Sequence, residues 1–551
     1  MELKPIAHLG RMREIASVLF KYGFDDTIER IGIPGKELLH RVRPVDREMT
    51  TWERIRRSLE ELGPTFIKMG QIVSLRPDLF PLPLIEELEK LQDEVAPVAF
   101  LDIAPSIEEA LGQSLNRIFS QFDEIPLAAA SLAQVHRAVL RDSQEIVAVK
   151  VQRPRIRSLI ERDLAIIESL AGYLRGHLEL ARIYDLKGFV QEFRKILMQE
   201  LDFTYEARTM KIVQRNFAND SFIHIPQVYD EYSVETLLTM ELIEGIKLKD
   251  LPEQNHDERK LLAQRGIAAT IKQILEDGFF HADPHPGNIM VMQGNVLCFL
   301  DWGMVGRLTR ESRYTLVDLL QGVTERDSSQ VLQALLDVVG DQSPDLDMRA
   351  LEKDIGFLLD YYYDIPVRKL HVGKLMLEVN SILQHHRIMV PRDLAAMIKT
   401  LVTAEGTARR LFADLDVIKE AEPYARKLAL ERWKPGELLR RMRRQLNYFL
   451  ALQNKVPKRL GAILGKIDRG ELQVSLQHKN LENLQVTLEN VANRITVGVI
   501  TAAMIISSSL IITTGVRPFL FGYPALGILG YAFSAVLGVW LIISIIRNKR
   551  L

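Results

Sequence analysis

The sequence predicts an α+β chain of two lobes, preceded by a helical extension and closed by a pair of apolar helices. Three observations carry that expectation. Short β-like runs gather between residues 115 and 245, while apolar positions recur at helical spacing before and after them. Two uncharged apolar stretches, Ile495 to Thr514 and Leu526 to Ile546, are each long enough to cross a bilayer. Between these regions lies Phe279-Phe-His-Ala-Asp-Pro-His-Pro-Gly-Asn288, followed by Val296-Leu-Cys-Phe-Leu-Asp-Trp-Gly303, which sets Asp283, Asn288 and Asp301 at a characteristic spacing. The expected divisions are a helical extension over 1–110, a first lobe over 111–245, a second lobe over 246–425, a basic amphipathic linker over 426–490 and two membrane spans over 491–551.

Composition excludes several classes. At 551 residues, 47% hydrophobic and 26% charged, the chain is ordinary for a folded protein of two or three domains with a membrane-facing part, and its net charge of −1 names no partner. The lone cysteine, Cys298, rules out a disulfide framework and a thiolate metal cluster. The first twenty residues lack the apolar core and small-residue cleavage site of a secretory signal.

In the extension, Met12 to Tyr22 and Ile85 to Leu91 have helical spacing. Between them, Gly63-Pro64-Thr-Phe-Ile-Lys68-Met-Gly70-Gln71 runs on to Asp78 and Pro81. Pro64 suits the first turn of a helix, on which Lys68, Gln71 and Leu75 share a face. Such a face is ordinarily solvated.

The first lobe opens with Ala128-Ala129-Ala130-Ser131-Leu132-Ala133-Gln134-Val135. Set over the phosphate loop GxGxxGxV of a kinase, it puts Ala128, Ala130 and Ala133 at the glycine positions and Val135 at the valine. Fifteen residues later, Val147-Ala-Val-Lys150 supplies a strand lysine. Alanine leaves backbone N–H groups for phosphate, while each methyl restricts the backbone and crowds a nucleotide. Residues 156–215 are helical and hold Glu200, Asp202 and Glu206, three candidates for the acid that pairs with Lys150. On one continuous helix Asp202 and Glu206 share a face and Glu200 points about 160° away from Asp202. Ile225-Pro-Gln-Val-Tyr229 and Glu235 to Gly245 read as two further strands. The second leads to a hinge whose backbone, near Glu241 to Ile243, faces an adenine, and Gly245 lets the chain turn into the second lobe.

Asp283 and Asn288 form DxxxxN, and thirteen residues after Asn288 an apolar run ends in Asp301-Trp302-Gly303. This is the layout of a kinase catalytic loop followed by a metal-binding turn. In that layout the first Asp orients or deprotonates the acceptor, the Asn and second Asp hold metal ions, and the Gly permits a tight turn. His281 and His285 share a face only on a helix, which Pro284 and Pro286 forbid, so they are not a metal pair. Residues 311–420 read as helices. Thirteen Lys and Arg against three acids between Arg426 and Arg469, interleaved with Trp433, Tyr448 and Phe449, suit an anionic membrane surface better than nucleic acid. Arg494 before the spans, Arg547, Lys549 and Arg550 after them, and Arg517 alone in the connector put both ends of the pair in the cytoplasm.

Lys68-x-Gly70-Gln71, the alanine-rich loop, VAVK, ELDxxxEA, HADPHPGN and DWG occur in this order over roughly residues 55 to 310. In this the chain resembles the UbiB family, the atypical kinase-like family that includes AarF proteins, and its terminal spans look like those of bacterial members. The resemblance implies a bilobal protein-kinase-like fold whose extension lays the KxGQ helix across the site where a protein substrate would dock. It implies ATP and Mg2+ as cofactors and ATP-dependent support of prenyl-quinone (ubiquinone) biosynthesis at the inner membrane, with the kinase-like part on the cytoplasmic side. The implied partners are prenylated quinone precursors or other membrane lipids, and other quinone-biosynthesis proteins. By position, Lys150 would contact the phosphates, Glu206 would be its partner, and Glu200 and Asp202 would face Lys68 and Gln71, without fixing which acid meets which lysine. Asp283 would be the catalytic-loop aspartate, and Asn288 and Asp301 the magnesium ligands. Alanine in the phosphate loop, and the lack of Ala-Pro-Glu before Ala421-Glu422-Pro423, place a protein kinase second, and the intact set of Lys150, Asp283, Asn288 and Asp301 places a catalytically silent scaffold third.

Overall fold

A glycine and a proline set up the first pair of long helices. In a computed structural model, residues 9–24, 49–76, 80–91, 95–177, 186–252, 255–340, 346–362, 370–432 and 481–547 are described, with scattered positions in 434–446. The extension contains α1 (Leu9–Lys21), α2 (Thr51–Leu62), α3 (Pro64–Ser74), α4 (Leu82–Leu88) and α5 (Phe100–Leu111). Thr50 caps α2 by accepting the Glu53 N–H at 3.1 Å, and Gly63, at φ 92°, ends it and turns straight into α3 with Pro64 at the first position. A Cβ on Gly70 would press on side-chain carbons of Leu59 and Leu88 at 3.1 and 3.3 Å, so the glycine between Lys68 and Gln71 is required by packing against α2 and α4. Asp163, fully buried on α6 (Ile156–His177), fastens the extension to the first lobe. It accepts Arg11 Nε and Nη2 at 2.9 Å each and Thr65 Oγ1 at 2.7 Å, enough donors to satisfy a buried carboxylate.

The first-lobe sheet consists of β1 (Phe119–Phe122), β2 (Ala128–Ala129), β3 (Ala133–Leu140), β4 (Ile146–Gln152) and, after α7 (Leu186–Glu200), α8 (Phe203–Asn216) and β5 (Ile223–His224), β6 (Leu237–Glu241). Its order is β1-β3-β4-β6, all antiparallel, with β2 paired to β3. One face buries Val147, Val149 and Leu237 against Ile103 and Ile107 of α5. The segment Ile225 to Tyr229 is not the expected strand. Pro226 has no N–H to give a ladder, and only Val228 bridges Met240. The strand lies earlier, as β5, and pairs in parallel with β10 of the second lobe.

The second lobe adds β7 (Ile246–Lys247), α9 (His256–Ile271), β8 (Phe279–His281), β9 (Ile289–Met292), β10 (Val296–Phe299) and β11 (Val305–Arg307), in sheets of order β5-β10-β9-β7 and β11-β8. Gly245 is needed for close approach: a Cβ there would sit 2.6 Å from the Val291 carbonyl oxygen. The helices α10 (Arg310–Glu325), α11 (Ser328–Val339), α12 (Met348–Tyr361), α13 (Val372–His385), α14 (Arg392–Leu411) and α15 (Val417–Arg432) share one apolar core around Leu351, Ile355 and Ala395. In the described head of the basic stretch, Arg432 Nη1 binds Asp318 at 2.7 and 2.8 Å and Lys427 binds Glu276, so these two cations serve the fold itself. Trp433, Tyr448, Phe449 and the basic run beyond residue 447 lie outside the described residues, as do Asp78, Lys549 and Arg550.

A separate unit spans Met442–Leu551. Its described part is α16 (Leu481–Thr514), a short turn of β12 (Phe519–Leu520) and β13 (Tyr523–Pro524), and α17 (Ala525–Arg547). Within it, Val491–Thr514 and Ala525–Ile542 have mean hydropathies of 2.2 and 2.0 and are long and apolar enough to cross a membrane. The pair is inside-out: Ser508 and Ser534 are buried, and Gly530 lets α17 close on Ser508, while Leu510, Phe533 and Trp540 face outward.

Candidate active site

Strand β4 carries Lys150 opposite Val135 of β3 and Leu238 of β6. Its Nζ donates to both carboxylate oxygens of Glu206, at 2.9 and 2.8 Å, and lies 3.4 Å from Asp301 Oδ1. Glu206 comes from the first turn of α8, where a carboxylate suits the positive end of the helix dipole, and it is 4% exposed.

The other two acids occupy positions that helical periodicity hides. α7 ends at Glu200 and α8 begins at Phe203, so Glu200, Asp202 and Glu206 are not on one helix, and neither the shared face nor the 160° separation expected for it holds. Asp202 caps α8: its Oδ1 accepts the Thr204 N–H at 3.0 Å and the Thr204 hydroxyl at 2.6 Å. Glu200 Oε2 lies 3.6 Å from Lys68 Nζ of α3. The acids therefore sort as Glu206 with Lys150, Glu200 with Lys68, and Asp202 with the backbone. Gln71 sits one turn after Lys68 on the same helix, half-buried.

Electrostatics bind this cluster together. Burial disfavours the Lys150 ammonium, but Asp301 and Glu206 outweigh it and hold its pKa above the ordinary lysine value. Burial pushes the Glu206 carboxyl up, against the pull of Lys150. The Lys150 ammonium, opposed by burial and helped by Lys68, holds the Asp301 carboxyl well below the usual carboxylate range. Lys68 acts on all three groups, so the extension contributes a cation to the same cleft.

The alanine loop is more closed than a phosphate cradle of free amides. Ala128 and Ala129 pair with Val135 and Gln134, and the Ala130 N–H, expected to be free for phosphate, is donated to the Ala133 carbonyl at 2.8 Å. Arg153 Nε holds the Ala130 carbonyl at 2.8 Å. None of these alanines has a positive φ. At the hinge, the Glu241 N–H is committed to the Gln227 carbonyl at 2.8 Å, and its carboxylate binds His224 Nε2 at 2.9 Å. Ile243 is buried beside it.

His281 organises the catalytic loop. Burial holds its imidazole pKa below the ordinary value, and the neutral ring uses both nitrogens: Nδ1 accepts the Asp283 N–H at 3.1 Å and Nε2 donates to the Leu300 carbonyl at 3.1 Å. The ring also packs on Trp302 with centroids 4.9 Å apart. The Leu300 N–H donates to the Asn288 carbonyl at 2.8 Å, so the segments bearing Asn288 and Asp301 are neighbours. The strained residue of DWG is Asp301, at φ 55°, and not Gly303, which has no positive φ. His285 Nδ1 accepts the Gly287 N–H at 3.1 Å.

These residues fit a nucleotide with magnesium on two observations. Asn288 and Asp301 are oxygen donors of the kind magnesium takes in ones and twos beside phosphates. The Ser131 hydroxyl, fully buried at the tip of the alanine loop, meets no partner among the described residues, so the loop expected to face phosphate carries one unsatisfied polar group. Sequence reasoning missed Ser74, Lys399 and Thr400. Lys399 Nζ of α14 donates to Ser74 Oγ at 3.0 Å and lies 3.9 Å from Asp283 Oδ1, a contact 116 residues away in sequence that no local pattern announces.

A two-lobed fold with a strand lysine bound to a helix glutamate, a DxxxxN loop and a following aspartate defines a protein-kinase-like protein. Comparison with known proteins narrows the class. Residues 90–335 match the ABC1 atypical kinase-like domain, 355–416 the UbiB helical domain and 479–547 the ABC1/UbiB kinase-like C-terminal domain. A Clostridium pasteurianum protein from the hydrogenase 1 5′ region is 32% identical over 98% of this chain and 99% of its own. A probable protein kinase UbiB of Vibrio parahaemolyticus is 33% identical over 78% of this chain and 80% of its own. The solved Rv3197–erythromycin complex from Mycobacterium tuberculosis is 22% identical, with a TM-score of 0.45 over 64% of this chain and 93% of that one. The chain belongs to the ABC1/UbiB atypical kinase-like family.

Proposed function

We propose that the chain is a membrane-anchored, Mg-ATP-dependent ATPase or small-molecule kinase that supports prenyl-quinone biosynthesis, acting on or extracting prenylated precursors from the bilayer. The observation that carries the reading is Lys150 bridging Glu206 and Asp301, a prebuilt set of charges of the kind phosphoryl transfer uses. In this reading Lys150 holds the α- and β-phosphates, Ser131 and the alanine turn meet a phosphate oxygen, Val135 and Ile243 line the adenine, Asn288 and Asp301 hold Mg2+, and Asp283 orients the acceptor. Magnesium, when bound, neutralises charge on the transferred phosphoryl group. Supporting a non-protein acceptor, Ser74 of α3 lies next to the catalytic loop through Lys399, so the extension covers the side where a peptide would dock. The apolar pair α16–α17 supports the membrane anchor. The test is Mg-ATP binding and ATP turnover by the full chain, with quinone intermediates profiled in a strain lacking it and complemented by wild type or Asp301→Asn. Intermediates that return to normal with the variant would refute the reading.

A further inference from the structure

The catalytic loop is served by a helix outside both of its own strands. Lys399 lies in the middle of α14 with its side chain 11% exposed, donating to Ser74 Oγ at 3.0 Å and standing 3.9 Å from Asp283 Oδ1. Its neighbour Thr400, 1% exposed, donates its hydroxyl to the His281 carbonyl at 3.0 Å. His281 in turn accepts the Asp283 N–H. Two adjacent residues of one helix thus fix the loop backbone and set an ammonium beside its carboxylate. Glu89, just after α4, is a further acid close enough to feel the charges of both Lys399 and Asp283.

We propose that Lys399 is a positioning residue for phosphoryl transfer, a role that rests on the Mg-ATP reading above. Its ammonium orients the Asp283 carboxylate and offsets negative charge on the phosphoryl group as that group approaches the acceptor. At 3.9 Å the contact is too long for a hydrogen bond, so the carboxylate keeps its oxygens for the acceptor hydroxyl. An ammonium has three donors, and Ser74, fixed in the last turn of α3, aims one of them. In the transfer, the bond between the γ-phosphorus and the ADP oxygen breaks and ADP leaves. A bond to the acceptor oxygen forms, and the acceptor proton passes to Asp283. Because charge spreads over the phosphoryl oxygens in a loose transition state, a cation fixed nearby stabilises that state more than the ground state. A purely structural lysine would need only its bond to Ser74.

The test uses the full chain in detergent and follows steady-state ATP hydrolysis, Mg-ATP binding and thermal melting for wild type, Lys399→Met, Lys399→Arg and Ser74→Ala. The expected result is a fall in kcat of at least about tenfold for Lys399→Met, with KM for ATP within about twofold, recovery of most of the rate in Lys399→Arg, and a smaller fall in Ser74→Ala. Equal losses in the Met and Arg variants, or a kcat for Lys399→Met within about twofold of wild type, would overturn the positioning role while leaving the Mg-ATP reading intact. A rise in turnover would also overturn it, marking the contact as a restraint. A wild type that neither binds nor hydrolyses Mg-ATP would remove the underlying reading itself.

Discussion

Two lysine–carboxylate pairs meet in this cleft with nearly equal burial and unequal closeness. Lys150 and Glu206, with side chains 17% and 5% exposed, bond through both oxygens at 2.8 and 2.9 Å, whereas Lys68 and Glu200, at 11% and 7%, stand 3.6 Å apart. Burial alone therefore does not close a salt bridge. The frame around it does. Lys150 and Glu206 both come from the kinase-like lobes, and α8 is fastened to the sheet by the Phe203 N–H, which donates to the Glu235 carbonyl at 3.0 Å just before β6. Lys68 instead rides on the extension, whose own anchor is Asp163 on a different helix. The tight pair lies within one frame and the loose pair joins two.

The largest expected effect comes from breaking the tight pair. Glu206→Gln leaves the mostly buried Lys150 ammonium with Asp301 as its remaining carboxylate partner among the described residues, which costs about 3 kcal/mol, the low end for a broken buried pair. Lys150→Met costs less, because burial already favours the neutral Glu206 carboxyl, which can take up a proton. Denaturant unfolding of both variants and the double mutant checks this order, and equal losses would show that the pair is not the source of the asymmetry.

Next in size is Asp301→Asn, which sharpens the comparison by removing an acid that feels both lysines. Asparagine tolerates the φ of 55° at this position, so the fold should persist while Mg-ATP affinity falls by about a hundredfold or more. Calorimetric titration with and without Mg2+ measures it, and an affinity that survives in Mg2+ would remove Asp301 from the metal site.

The lysines and aspartates of the cleft were legible in the sequence, but which acid meets Lys150 and which meets Lys68 was not, Glu206 being paired with Lys150 only through the family resemblance. VAVK, DxxxxN and DWG are short motifs whose chemistry depends on local spacing, and the lobes follow from strand and helix periodicity. The change from α7 to α8 was not legible, because no Gly or Pro interrupts Gln199 to Ala207 between two helical runs and only the Asp202 bonds to Thr204 reveal the cap. Gly303 drew attention as the flexible residue, yet the left-handed backbone falls on Asp301. Lys399 was invisible because it is one lysine in a long helical run and its partners arrive from a loop more than a hundred residues earlier in the same lobe and from the extension.

A smaller effect is expected from the loose pair. Lys68→Met should cost less than about half as much stability as Glu206→Gln, since 3.6 Å gives up less attraction and the methionine retains the buried stem. Unfolding free energies of the two variants side by side decide it. A loss as large as that of Glu206→Gln would mean that closeness is not what separates the two pairs.

The smallest effect belongs to a third pair, which is close but not buried and so separates the two variables. His224 Nε2 and Glu241 Oε2 lie 2.9 Å apart with side chains 36% and 33% exposed. The hydrogen bond to Glu241 raises the His224 pKa above its ordinary 6.5, and the same bond lowers Glu241 below its ordinary 4.5. A raised histidine contributes stability that is fully present below its unfolded pKa and is lost as pH rises through the folded value. A lowered carboxylate contributes stability that is present above its unfolded pKa and is lost as pH falls through the folded one. The pair is therefore at full strength between about pH 4.5 and 6.5 and fades above that window. In Glu241→Gln the amide oxygen can still accept the Gln227 N–H that Glu241 Oε2 accepts at 3.1 Å, so the substitution isolates the charge. Wild type should be more stable than this variant by less than about 1 kcal/mol near pH 6, given solvent screening, and by clearly less near pH 8.5. Melting both proteins across that range reads the difference. If it stays constant with pH, His224 is not gaining a proton through Glu241, and closeness without burial contributes nothing measurable here.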